Sequence, residues 1–163
     1  MSKSIKQTQQ DELNGEQLQL KYIPLDQVAL WDENPKRHAV EKLIESILRY
    51  GFLDPPKFDS HLRGDLNNGS RGALVFGNGR AKCVKLIRDD PNRKGVPRGV
   101  CLDKDGNWFL PVLFGVDAES EAVARALAID HNALTLGDGF DYWEMARIWN
   151  QGDYAKLLGD DAR

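Results

Sequence analysis

The sequence predicts an α+β fold, and three observations point to it. Val40, Leu43, Ile44, Ile47 and Leu48 recur at helical spacing and make one apolar stripe. Trp108–Val116 (WFLPVLFGV) is almost wholly apolar and reads as a buried strand. Two extended segments, Lys57–Leu62 and Ala73–Phe76, flank an Asn68-Gly69 turn signal and predict a hairpin. Strands and helices are mixed without strict alternation, the α+β pattern. With 163 residues, 41% hydrophobic and 29% charged, the chain is long and apolar enough for one domain with a real core.

Residues 1–19 are polar and glutamine-rich, and predict a flexible tail. Leu20–Pro24 is a short first strand, followed by a loop with Trp31, Asn34 and Pro35. The helical pattern begins at His38 and stops at Gly51, which supplies a left-handed residue. Pro55-Pro56 opens the hairpin strands, and Gly77-Asn78-Gly79-Arg80 follows the second one directly. Cys83, Val84, Leu86 and Ile87 then predict a short helix with one buried side. Residues 89–107 form a long loop rich in proline, glycine and charge, with a small hairpin turning at Asp105-Gly106. Ser120 is the expected cap of a later helix that buries Val123, Ala126, Leu127 and Ile129. Two further helical segments, Asp141–Gln151 and Asp153–Leu158, carry a stripe of Tyr142, Met145, Ala146 and Trp149. The boundaries expected are therefore a tail at 1–19, a domain at 20–140 and a C-terminal helical segment at 141–163.

Charge and cysteine usage narrow the function. The formal net charge is −3, whereas a protein that coats duplex DNA is usually basic. The charge is uneven: Gly77–Val100 holds seven basic residues against two acids, and Asp117–Arg163 holds ten acids against four bases. Such a split fits two solvated faces, or one local anion site. No apolar run approaches the roughly 18 residues of a membrane span, and the polar start lacks the core of a secretory signal. Cys83 and Cys101 show no CxxC spacing, so a reducing, cytoplasmic setting is expected without disulfide or structural zinc. His38, His61 and His131 lack metal-ligand spacing and read as surface or capping residues. Trp31, Trp108, Trp143 and Trp149 read as core or partner-facing.

The Gly77-Asn78-Gly79-Arg80 turn carries the functional signal. Glycines let a backbone bend tightly and approach a ligand, and the N–H groups that open a helix attract anions. Arg80 adds a permanently charged fork suited to phosphate oxygens. The same four residues could equally be an ordinary strand-to-helix turn with Arg80 on the surface.

Five blocks, in order, resemble the ParB/sulfiredoxin-like superfamily over about residues 20–145. YIPLDQV with ENPKR is similar to the family's opening strand and Asn-Pro-x-Arg segment, and VEKLIESILRYGFLDPP to its helix-Gly-Pro block. ALVFGNGRAKCVKLI resembles the strand and Gly-x-x-Arg phosphate box, in the Gly-x-Gly-Arg form of methylase-associated members. LPVLF resembles the strand after the box, and ARALAIDHNALTLGDGFD the later helix with its Asn. The resemblance implies a small mixed, partly open barrel-like sheet with flanking helices. It also implies CTP or ATP with Mg²⁺ as ligand, held by Gly77, Asn78, Gly79 and Arg80, with Arg37 as a second basic contact. Asn132 would be a metal or phosphate ligand, and Asp130 could substitute in part for the family's missing acid.

The departures matter as much. The places of the sulfiredoxin Cys and His hold Asn78 and Gly79, so sulfinic-acid reduction is not expected; Cys83 reads as a small buried hydrophobe. Gly79 replaces one of the two arginines common in partition proteins, and HNALT lacks the acid and distal Arg of their Glu-Asn-x-x-Arg motif. Three readings follow: a nucleotide-binding domain in DNA partition or modification, with the 89–107 loop as its lid; a ParB-like nuclease; or an inactive adaptor that recruits a protein or DNA partner. DNA would be reached through a partner or a further domain, as in a stand-alone small member or the front piece of a longer protein.

Overall fold

A computed structural model describes residues 14–66, 71–92 and 95–136. The chain divides into two compact units, Met1–Ala128 and Ile129–Arg163. The elements in order are β1 (Gln19–Pro24), α1 (Val40–Tyr50), β2 (Lys57–Arg63), β3 (Arg71–Phe76), α2 (Asn78–Asp89), β4 (Cys101–Leu102), β5 (Trp108–Phe114) and α3 (Glu121–Leu136). A short 3-10 turn, Leu25–Gln27, follows β1. The expected tail lies mostly outside the described residues, as do the Asn68-Gly69 turn and the helices expected at 141–158.

The sheet is mixed and open, in the order β1-β5-β2-β3. β1 and β5 are antiparallel, with Leu20 opposite Leu113 and Ile23 opposite Leu110. β2 meets β5 in parallel at Lys57 and Leu113, and β3 in antiparallel. Phe109 pairs with both Pro24 and Cys101, so β4 lies on the edge of β5 opposite β1. The expected turn at Asp105-Gly106 is held by Asp103, whose carboxylate accepts the N–H groups of Asp105 and Asn107, both at 2.9 Å.

The main core fills the space between α1, α2 and the sheet, around Leu25, Ile47, Phe52, Leu74, Val84, Leu110 and Val112. Ile47 is fully buried and Val40, Leu43 and Ile44 pack beside it, but Leu48 is exposed. Leu48 sits about 80° around the helix from Val40, at the rim of the stripe. Leu86 is likewise exposed, because Cys83, Val84 and Ile87 define an inward arc that lies on its other side. Gly51 ends α1 with φ 104 and ψ 173, an extended glycine-only conformation rather than the left-handed helical one expected. A Cβ there would lie 2.8 Å from that of Arg98.

A second cluster joins Trp31, Leu62, Ala73 and Val75 to Ala124 and Ala128 of α3. Ser120 caps α3 as expected, its hydroxyl accepting the Val123 N–H at 3.3 Å. The buried face differs from the expected one: Val123, Ala126, Leu127 and Ile129 are exposed, and Ala124 and Ala128 point inward. Small side chains let α3 approach β2 and β3 closely, which the larger residues would prevent.

Candidate functional site

The Gly77–Arg80 segment joins β3 to α2, and each residue in it has a distinct structural reason. Gly77 is left-handed, with φ 81 and ψ 12, and a Cβ there would lie 2.6 Å from that of Pro56. Only glycine combines that backbone with that contact. Gly77 has no side chain to cap the helix, and no described side chain does so. The first helical bond runs from the Ala81 N–H to the Gly77 carbonyl, at 3.0 Å. The N–H groups of Asn78, Gly79 and Arg80 precede that ladder and sit at the positive end of α2.

The Asn78 side chain is spent within the protein. It is buried, accepts the Trp31 N–H at 2.8 Å and donates Nδ2 to the Leu74 carbonyl at 2.9 Å. The amide therefore clips the loop after β1 to β3. Gly79 is explained by His38: a Cβ on Gly79 would lie 2.5 Å from the ring Nδ1. His38, which is half-buried, thus packs on the first turn of α2. That contact also brings the Asn34–His38 segment, with Arg37, to this end of the helix. Burial, Lys36 and Lys82 hold the His38 pKa below its ordinary value.

Arg80 is two-thirds buried, and its Nε lies 3.7 Å from Oδ2 of the exposed Asp54. This is a loose contact that leaves the guanidinium fork largely unspent. The basic stretch around it is less concentrated than its sequence implies. Arg88 pairs with Asp26 at 2.5 Å and with Asp89 at 2.8 Å, and the Lys85 ammonium donates to the Val28 carbonyl at 2.7 Å. Those two bases tie α2 to the turn after β1. Cys83 is buried and donates to the Val40 carbonyl at 3.6 Å, and burial pushes its thiol pKa up. The small-hydrophobe reading of Cys83 fits this setting.

The 89–107 segment is not a free lid where it is described. Phe52 N–H donates to the Arg98 carbonyl at 2.7 Å, Val100 is buried, and a Cβ on Gly99 would lie 2.2 Å from the Phe52 carbonyl oxygen. Residues 98–100 are thus clamped to the end of α1. Asp130, His131 and Asn132 lie on α3 beyond Ala128, in the second unit. Asp130 and Asn132 are two residues apart on a helix, about 200° around its axis, so they do not share one ion. Sequence reasoning passed over Asp59, a fully buried carboxylate that accepts the His61 and Ala118 N–H groups at 2.9 and 2.7 Å. It fastens the segment after β5 to β2, a structural task.

No family model matches the chain. It is 25% identical over 79 residues to the ParB-like nuclease domain-containing protein YnaK of Escherichia coli (strain K12), covering 47% of this chain and 79% of that protein. Among solved structures it matches C-terminally truncated chromosome-partitioning protein ParB from Caulobacter crescentus, complexed with CTP-gamma-S. The TM-score is 0.51 at 12% identity, over 86% of this chain and 71% of that one. The fold is ParB-like. In this chain the strand, glycine turn and helix run β3, Gly77–Arg80, α2, the order expected from the sequence.

Proposed function

We propose that this protein binds a nucleoside triphosphate, CTP or ATP, with its phosphates at the start of α2. One observation carries the reading: a left-handed Gly77 opens α2 without any described cap, beside an Arg80 held only loosely by Asp54. Backbone N–H groups of Asn78, Gly79 and Arg80 would bind phosphate oxygens, and the Arg80 guanidinium would add charge-assisted bonds. Arg37 would contribute a second cation from the segment that His38 anchors. The likeness to a ParB complexed with CTP-gamma-S supports the reading at the level of the fold. The biological setting we assign is DNA partition or modification, with DNA reached through a partner.

Calorimetric titration with CTP and with ATP, each with and without Mg²⁺, tests this. Saturable heat with either nucleotide is the expected result. No heat at millimolar nucleotide would overturn the reading and leave the adaptor role.

The name of the YnaK relative favours a second reading, a nuclease. Metal-dependent nucleases gather several carboxylates around their ions. Among the described residues no group of three or more His, Cys, Asp or Glu is placed to hold a metal. Incubation of plasmid DNA with the protein and Mg²⁺ or Mn²⁺ decides it; nicking would establish the nuclease and intact plasmid would dismiss it.

A further inference from the structure

We propose that His38 is a further phosphate ligand at the start of α2, and that its protonation couples phosphate binding to pH. This rests on the nucleotide-binding reading above.

The geometry starts with Gly79. The ring atoms Nδ1, Cγ and Cε1 of His38 lie 2.5, 2.7 and 2.9 Å from the place a Gly79 Cβ would take. The imidazole therefore occupies the space that this glycine leaves, on the same helical turn as the N–H groups of Asn78, Gly79 and Arg80. Its tautomer follows from its neighbour. Asn34 Oδ1 accepts the Lys36 N–H at 3.1 Å, so the amide's Nδ2 is the atom 3.4 Å from His38 Nε2. Nδ2 donates and Nε2 accepts, which puts the proton of the neutral ring on Nδ1, the nitrogen nearest Gly79. A hydrogen-bond donor thus stands beside the helix start before any proton is taken up.

The charges around the ring set the coupling. Lys36 from its own segment and Lys82 from α2 both act on it, and Arg80 stands on α2 with Asp54 as its acid. Partial burial, then Lys36 and Lys82, disfavour an imidazolium in the free protein. A phosphate group placed on the helix start reverses the local field and favours the charged ring. The proton comes from the buffer onto Nε2. Asn34 Nδ2 then faces a donor, so its amide must turn and give up the Lys36 N–H bond. Binding and proton uptake are linked by that exchange.

The test is calorimetry on the full chain with CTP and with inorganic tripolyphosphate, at pH 6, 7 and 8, in buffers of different ionisation enthalpy. Wild type, His38→Gln, His38→Asn and Arg80→Ala are compared, each first shown to be folded by its melting curve. Subtracting a His38 variant from wild type removes the ligand's own titration. Wild type is expected to take up more protons than either His38 variant. Its affinity advantage over His38→Gln should grow as pH falls, by at most about tenfold per pH unit. His38→Asn, which keeps an amide donor near the Nδ1 position, should stay closer to wild type at pH 8 while losing the pH response. Equal proton uptake, or a constant affinity ratio across pH, would overturn the proposal. If Arg80→Ala weakens binding and both His38 variants match wild type throughout, His38 fails alone. If wild type binds neither ligand, the nucleotide reading fails with it.

Discussion

Asn78→Ala is the sharpest test of how the candidate site is built. The substitution deletes two hydrogen bonds, one from the Trp31 N–H and one to the Leu74 carbonyl, at 2.8 and 2.9 Å. Asn78 is 7% exposed and so is Trp31, so water replaces neither bond readily. Each bond contributes about 1 kcal/mol net, and an orphaned buried backbone group costs about 1–3 kcal/mol. The expected loss is about 2–4 kcal/mol, or roughly 6–12 °C in melting temperature for a chain of this size. Urea unfolding monitored by tryptophan fluorescence measures it. A loss below about 0.5 kcal/mol would refute the clip, since that is the range of an ordinary surface substitution. Asn78→Asp adds a pH signature. The introduced carboxylate, when ionised, still accepts from Trp31 but meets the Leu74 carbonyl as a second acceptor, while the protonated acid can donate to it. Its folded pKa is therefore raised above the unfolded value of about 3.9. The variant should come closest to wild type below that pH, and fall away as pH rises through the folded pKa. A deficit that is flat from pH 3 to pH 8 would contradict the bonding pattern.

Other expectations follow from the same structure. Arg80→Ala should raise the nucleotide Kd about tenfold to hundredfold, for a loss of about 1.5–3 kcal/mol, with a melting curve close to wild type because its Asp54 contact is loose; titration and a thermal melt separate the two effects. Asp54→Asn removes that competing carboxylate and should tighten binding by a few-fold in the same titration. Gly77→Ala places a methyl 2.6 Å from Pro56 Cβ at a left-handed position, and should cost about 1–3 kcal/mol by chemical denaturation. Arg71 and Arg125 hold the Glu121 pKa below its ordinary value, so their support of folding is present above that value and lost as pH falls through the lowered one. Glu121→Gln should accordingly flatten the acid end of the stability–pH curve. Of the two thiols, exposed Cys101 should react with a disulfide reagent promptly and buried Cys83 only on unfolding.

The sequence carried the backbone of this protein well, because its strongest signals are local. The α1 stripe, the WFLPVLFGV run and the Ser120 cap each depend on residues within one or two turns of each other. The inward face of α3 is set by fit and not by apolar size. Val123 and Leu127 look like core residues in a helical pattern, yet the sheet accepts only Ala124 and Ala128. At the candidate site, Gly77 and Arg80 were visible as a turn, but the reasons behind their neighbours were not. Asn78 answers to Trp31, 47 residues away, and Gly79 answers to the ring of His38. Neither partner is marked by any local spacing. The basic excess of Gly77–Val100 was legible too, but not that Lys85 and Arg88 are spent on Val28, Asp26 and Asp89.

The central claim is that nucleotide phosphates sit on the N–H groups opening α2. Amide chemical shifts of isotope-labelled protein, followed while CTP or ATP is added, report on those groups directly. The account predicts saturable shifts of the Asn78, Gly79 and Arg80 amides, larger than those along β1, and their loss in Arg80→Ala. Saturable binding that leaves these three amides unmoved would contradict it.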